Sequence, residues 1–236
     1  MIENATPLLL LAAAVAGLGL LITLGFEIVQ IFPKVAGAVL GKNSLGANSA
    51  LRLLIFNRVG AAMFFPSFGY LVDRGIEFAT LALISAFAIM CFSLFSLSLN
   101  LYFETYLRFF SKLFFRRESG ESLHISSLVK DPSAPMRDRT SAFWFSALAG
   151  FFGCVGLTLP MLLGSLFPDY RLTLANTGFV FNSVFSVLTI FVIDRRLSEY
   201  CDSRSERLIE FSRATIRGRV GGTLVLAIAY FSLALF

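Results

Sequence analysis

Long apolar runs, each separated from the next by a short turn or a charged stretch, are the feature that most restricts this chain. A helix needs about 20 apolar residues to cross the hydrocarbon core, and 236 residues supply that several times over. The bulk composition agrees: 56% of residues are hydrophobic and 15% charged, with a mean hydropathy of +0.77. A soluble domain carries roughly a quarter charged residues and under half apolar ones. Disorder and nucleic-acid binding through clustered basic residues are excluded on these grounds. The expectation is an all-α integral membrane protein.

Six spans are read, over about residues 7–31, 51–72, 78–103, 141–167, 172–193 and 219–236. The first ends before Pro33, and the second is interrupted by Asn57, Arg58 and Pro66. The opening MIENATP has an acid and no base ahead of its apolar run. A secretory signal needs a positive start, so this run is expected to stay as a helix.

The charges test the count independently. If six helices alternate, the side holding both termini receives only Arg74 and Arg171, whereas the other receives 17 Lys and Arg, and Arg58 falls within a span. Cytoplasmic loops collect Lys and Arg. Both termini should therefore face outside, with three basic loops in the cytoplasm. The net charge of +5 and pI near 9.4 then reflect topology and not a nucleic-acid partner.

The second span closes with LVDRG and the fifth with VIDRR, so Asp73 and Asp194 each end the middle helix of a three-span half. Halves with an odd number of spans run in opposite directions, as in inverted-repeat transporters. Chance recurrence of so short a pattern is the competing reading. Between the halves, Glu104, Arg108 and Lys112 recur every four residues in YFETYLRFFSKLFFRR. Such a segment fits either a helix lying on an anionic lipid surface or a third span with a basic anchor.

Groups for covalent chemistry are sparse. Cys91, Cys154 and Cys201 form no CxxC or Cys/His cluster and read as small core residues. The single histidine, His124, sits in a hydrophilic loop. Gly69, Asp73 and Glu77 spell GxxxDxxxE, the last part of the metal signature of CDP-alcohol phosphotransferases, but residues 44–56 lack the upstream acids that signature needs. No metal, cofactor or catalytic residue is assigned.

Polar residues inside the spans carry more information, because each is costly in lipid unless it faces protein or water. Glu27 and Arg58 lie at similar depths near the cytoplasmic ends of the first two spans. They are expected to pair or share a ligand, the alternative being that Arg58 snorkels to the headgroups. Asn57, Gly60, Pro66 and Gly69 make the second span polar and bent, either a moving element or a tightly packed one. Asn176 and Asn182 are about 1.7 turns apart and so not on one face. They are candidates for substrate contact, with helix bridging as the alternative. IDRRLSEYCDSRSERLIEFSRATIRGR reads as an amphipathic cytoplasmic helix. Arg213, Arg217 and Arg219 near its end fit phosphate by their guanidinium forks or serve only as anchors.

Two stretches resemble the Amj-type lipid II flippases, bacterial alternates to the MurJ flippase. One is LRLLIFNRVGAAMFFPSFGYLVD, residues 51–73, with its arginine, small residues, proline and closing Gly-x-x-x-Asp. The other is VLTIFVIDRRLSEYCDSRSERLIEFSRATIRGRVGGTLVL, residues 187–226. The resemblance implies a transporter of the bacterial cytoplasmic membrane that moves an undecaprenyl-pyrophosphate-linked peptidoglycan precursor to the outer leaflet. Its partners would be that lipid and anionic membrane lipids. The candidate substrate-binding residues are then Arg58, Glu27, Asn57, Asp73, Asn176, Asn182, Asp194 and Arg217.

Overall fold

The computed structural model describes residues 5–115, 136–203 and 207–235; His124 and the loop basic residues Arg116, Arg117, Lys130 and Arg204 lie outside them. Among the described residues there are nine α-helices: α1 (Ala5–Val29), α2 (Ile31–Val39), α3 (Asn43–Asp73), α4 (Phe78–Leu101), α5 (Phe103–Phe115), α6 (Met136–Leu166), α7 (Arg171–Val187), α8 (Arg195–Asp202) and α9 (Arg207–Leu233). A short 3-10 turn, Pro168–Tyr170, precedes α7, and a π-helical turn, Leu188–Asp194, joins α7 to α8.

Among the described residues, five segments are long and apolar enough to cross a membrane: Pro7–Val39, Phe78–Leu101, Asp138–Leu166, Pro168–Asp202 and Arg207–Leu233. The chain is a multi-pass, all-helical membrane protein. α3 does not meet the same standard of apolarity, because Asn57, Arg58 and Pro66 dilute its 31 residues.

Several boundaries differ from the sequence reading. Pro33 does not stop the first helical region. It sits in the first turn of α2, where a missing N–H leaves no intrahelical bond unmade. α3 begins at Asn43, eight residues ahead of the apolar stretch, and α9 begins at Arg207, twelve ahead of the expected 219. The amphipathic segment after Asp194 is therefore not one surface helix. It divides into α8 and the first three turns of α9.

α9 occupies the centre, packed on α4 and α6 and, near its start, on α8 and α2. α1 lies between α3 and α4, and α7 packs on α6 at the periphery. Interhelical hydrogen bonds fix α9: Ser93 and Thr223 hydroxyls meet at 2.8 Å, Thr158 and Tyr230 at 2.7 Å, and the Ser146 hydroxyl donates to the Thr215 carbonyl at 2.7 Å. α2 is wedged at one end of the bundle with seven of its nine residues buried. Its Phe32 ring lies against Phe103, Tyr106 and Phe110 of α5.

Where α1 crosses α3 the backbones nearly touch. A Cβ on Gly60 would come within 2.5 Å of the Thr23 nitrogen and 2.7 Å of the Gly19 carbonyl oxygen. Neither neighbour is a side chain that can turn aside. Gly69, about two and a half turns further along α3, has nothing within 4 Å of that position. Gly60→Ala should therefore force the helices apart and destabilise the protein by about 1–3 kcal/mol. Gly69→Ala should be neutral or slightly stabilising, since alanine favours a helix interior. Thermal unfolding of both variants in detergent separates the two outcomes.

Candidate functional site

The most deeply placed charges come from α1 and α9. Glu27 lies two residues from the end of α1, and Arg219 twelve residues into α9. The Arg219 Nη2–Glu27 Oε1 distance is 2.8 Å, with side-chain exposures of 10% and 11%. The same guanidinium donates to Thr189 Oγ1 at 3.3 Å and stands 5.0 Å above the Phe185 ring. Its stem crosses α6 at Gly150, where a Cβ would lie 3.1 Å from Arg219 Cδ.

Each part of this cluster follows from local sequence. Gly218, Gly221 and Gly222 flank Arg219 and bring α9 close to α6: Cβ atoms at Gly218 and Gly222 would collide with the Phe143 and Ala147 carbonyl oxygens. With no side chain at these positions, the arginine stem can run across the interface. Thr189 stands in the π-helical turn. Such turns admit one extra residue per turn and are frequent at functional sites. The cation thus meets a carboxylate, a hydroxyl and an aromatic face, three groups that favour a charged guanidinium.

The expected Glu27–Arg58 pair does not form, because Arg58 faces the wrong way. α3 buries the stripe containing Leu53, Gly60, Phe64 and Phe68. Arg58 lies with Ile55, Phe56 and Val59 on the exposed side and makes no ion pair among the described residues. Asn57 is half-buried, and its carbonyl accepts a long bond, 3.5 Å, from the Thr23 hydroxyl. Arg219 supplies the cation that Arg58 was expected to supply. The signal was present in GRVGG, a charged residue among glycines, but counting Arg219 as a loop charge concealed it.

The other candidates are dispersed. Asp73 accepts from Arg171, whose Nε also donates to the Gly164 carbonyl at 3.1 Å. Asp194, which ends the π-helical turn, pairs with Lys34 of α2 at 2.9 Å. Asn176 is exposed and Asn182 half-buried, in keeping with different faces of α7. Asn182 packs on α6, where a Cβ at Gly156 would lie 2.7 Å from its Oδ1. Arg217 is exposed and donates to Asn100 Oδ1 at 3.3 Å, about half a turn of α9 from Arg219 and so on another face.

The remaining charges hold one end of the bundle together. Arg196 donates to the Ser141 hydroxyl at 2.8 Å, Tyr200 donates to Asp138 at 3.0 Å, and Arg213 lies 3.7 Å from Glu104. Arg213 also covers the Phe103 ring. On α5, Arg108, Phe109, Lys112 and Leu113 are exposed together while Leu107, Phe110 and Ser111 are buried. The segment is a separate amphipathic helix and not the end of the preceding span.

Comparison with models of protein families, with curated proteins and with solved structures gives no match. The Glu27–Arg219 pair invites a direct stability test. Replacing Glu27 by alanine leaves a buried guanidinium without its counter-charge, which costs about 3–5 kcal/mol. Replacing both residues, as Glu27→Leu with Arg219→Leu, removes both charges and should recover most of that loss. Detergent unfolding of the two variants against wild type measures the difference.

Proposed function

We propose that this protein is a translocator of a polyprenyl-pyrophosphate-linked lipid across the bacterial cytoplasmic membrane. Lipid II is the cargo that the resemblance to the Amj-type flippases implies. Supporting this reading above all is the Glu27–Arg219 pair: an ion pair within apolar helices is costly and marks a place where charge is handled. A lipid of this class has a tail that stays in the bilayer and an anionic headgroup that needs a polar route. Arg219 would receive the diphosphate in place of Glu27, whose carboxylate must then take up a proton or another cation for the site to stay near neutral.

On this reading α3 is the sixth span. From Asn43 to Asp73 it reaches about 45 Å at 1.5 Å per residue, more than the hydrocarbon thickness of about 30 Å. Its first residue bonds to Cys201 and Asp202, at one end of the bundle, and its last to Arg171 at the other. With Arg219 buried, the asymmetry of 16 basic residues against two supports placing the end that carries α2, α5 and α8 in the cytoplasm and both termini outside. An inside-negative potential then favours outward passage of an anion, by about 2.3 kcal/mol per charge at 100 mV.

The test is complementation in a bacterium depleted of its resident lipid II flippase, with outer-leaflet lipid II followed at matched membrane levels. Wild type should restore growth and outward lipid II. Arg219→Ala should abolish both, whereas Arg58→Ala, altering the exposed side of α3, should keep most of the activity. Failure of a well-expressed wild type to rescue would reject lipid II as cargo. Full activity of Arg219→Ala would remove the ion pair from the route.

A further inference from the structure

Two three-helix units can be traced, α1–α3–α4 and α6–α7–α9, and their contacts repeat. In each unit the first and second helices meet through a pair of glycines, Gly19 with Gly60 and Gly156 with Gly178. Cβ atoms at Gly60 and Gly178 would each lie 2.7 Å from the partner's carbonyl oxygen. The third helices, α4 and α9, pack on each other.

The ion pairs between the units are reciprocal. Asp73 ends α3, the middle helix of the first unit, and pairs with Arg171, the first residue of α7, the middle helix of the second. Asp194 closes the π-helical turn that follows α7, the middle helix of the second unit, where the helix runs on into α8, and it pairs with Lys34 of α2, between the first two helices of the first. Both pairs thus join an aspartate at or beyond the end of a middle helix to a cation between, or at the junction of, the other unit's first two helices. They stand at opposite ends of the bundle, separated by the length of α3, with Glu27 and Arg219 within the apolar helices between them.

We propose that these pairs are the two gates of the route through the Glu27–Arg219 site. Lys34–Asp194 closes the end that carries α2 and α8, Arg171–Asp73 closes the other, and transport breaks them in turn. The inference rests on reading the chain as a translocator. Both pairs are formed here, so the structure is the state closed at both ends. The strength is suited to the task. Side chains exposed to 21% and 33% in one pair, and 39% and 69% in the other, hold a closed arrangement by a factor of only roughly two to five. Each is supplemented by a few hydrogen bonds: Asn43 to the Cys201 carbonyl and the Asp202 carboxylate at one end, Arg171 to the Gly164 and Val72 carbonyls at the other. Such gates stay shut at rest and open without unfolding anything.

Accessibility from the two faces of the membrane tests this without any cargo. With Cys91, Cys154 and Cys201 replaced by alanine, Thr189→Cys places a reporter thiol beside Arg219. A membrane-impermeant maleimide is applied to right-side-out and to inside-out vesicles. Asp194→Asn should raise labelling roughly two- to fivefold from the face next to α2 alone, and Asp73→Asn by a similar factor from the opposite face alone. Exchanging charges, Lys34→Asp with Asp194→Lys, should return labelling to the parental rate. Labelling that stays at the parental level in either aspartate variant, or rises from both faces, would overturn the proposal. Should Thr189→Cys lower the melting temperature, Phe185→Cys takes its place under the same criteria. Side-specific labelling in a protein that moves no lipid II would keep the gates and reject the cargo.

Discussion

Glu27 and Arg219 can lie among apolar helices only because each neutralises the other, and that requirement fixes much of what surrounds them. Holding the two groups at 2.8 Å demands that the end of α1 and the middle of α9, far apart in sequence, come within reach of each other's long side chains. It demands glycine at 150 so that the arginine stem can cross α6, and a widened helical turn that presents Thr189. Removing one partner strands the other. The pair therefore works as a constraint on the arrangement of helices as much as a source of stability.

Helices in a bilayer gain little from hiding apolar surface, since the lipid around them is equally apolar. Close backbone approach and hydrogen bonds between helices must supply what the hydrophobic effect supplies in water. Both are concentrated where the bundle needs them. Gly19 meets Gly60, Gly218 and Gly222 press α9 on α6, and serine and threonine hydroxyls tie α9 to α4 and α6. At the end carrying α5 and α8 the currency changes to ion pairs such as Arg213–Glu104 and Arg196–Asp138, as expected where side chains leave the apolar region.

The helical class and five membrane-crossing segments were legible because apolar runs announce themselves. So was Asp73 as a helix-ending acid, whereas Asp194 falls where the helix runs on into α8; each is found in an ion pair. The start of α9 was not, because Arg207–Arg217 is polar enough to pass for a surface helix although it buries Leu208, Ile209 and Phe211 on neighbouring elements. Nor was the partner of Glu27. Equal depth on adjacent spans pointed to Arg58, but depth says nothing of azimuth, and the buried stripe of α3 turns Arg58 outward. Arg171 and Lys34 were visible only as loop charges, for pairing across 98 and 160 residues leaves no local trace.

α7 and α9 differ sharply in how much of each is enclosed. α9 buries fourteen residues, whereas Gly178 is the one buried residue of α7, and Leu172, Phe179 and Val180 face outward. Displacing α9 would sever bonds on three sides. Swinging α7 trades one set of lipid neighbours for another, at little cost beyond its seam with α6. The bundle thus has an axle and an outrigger: any rearrangement should turn about the first and travel furthest in the second.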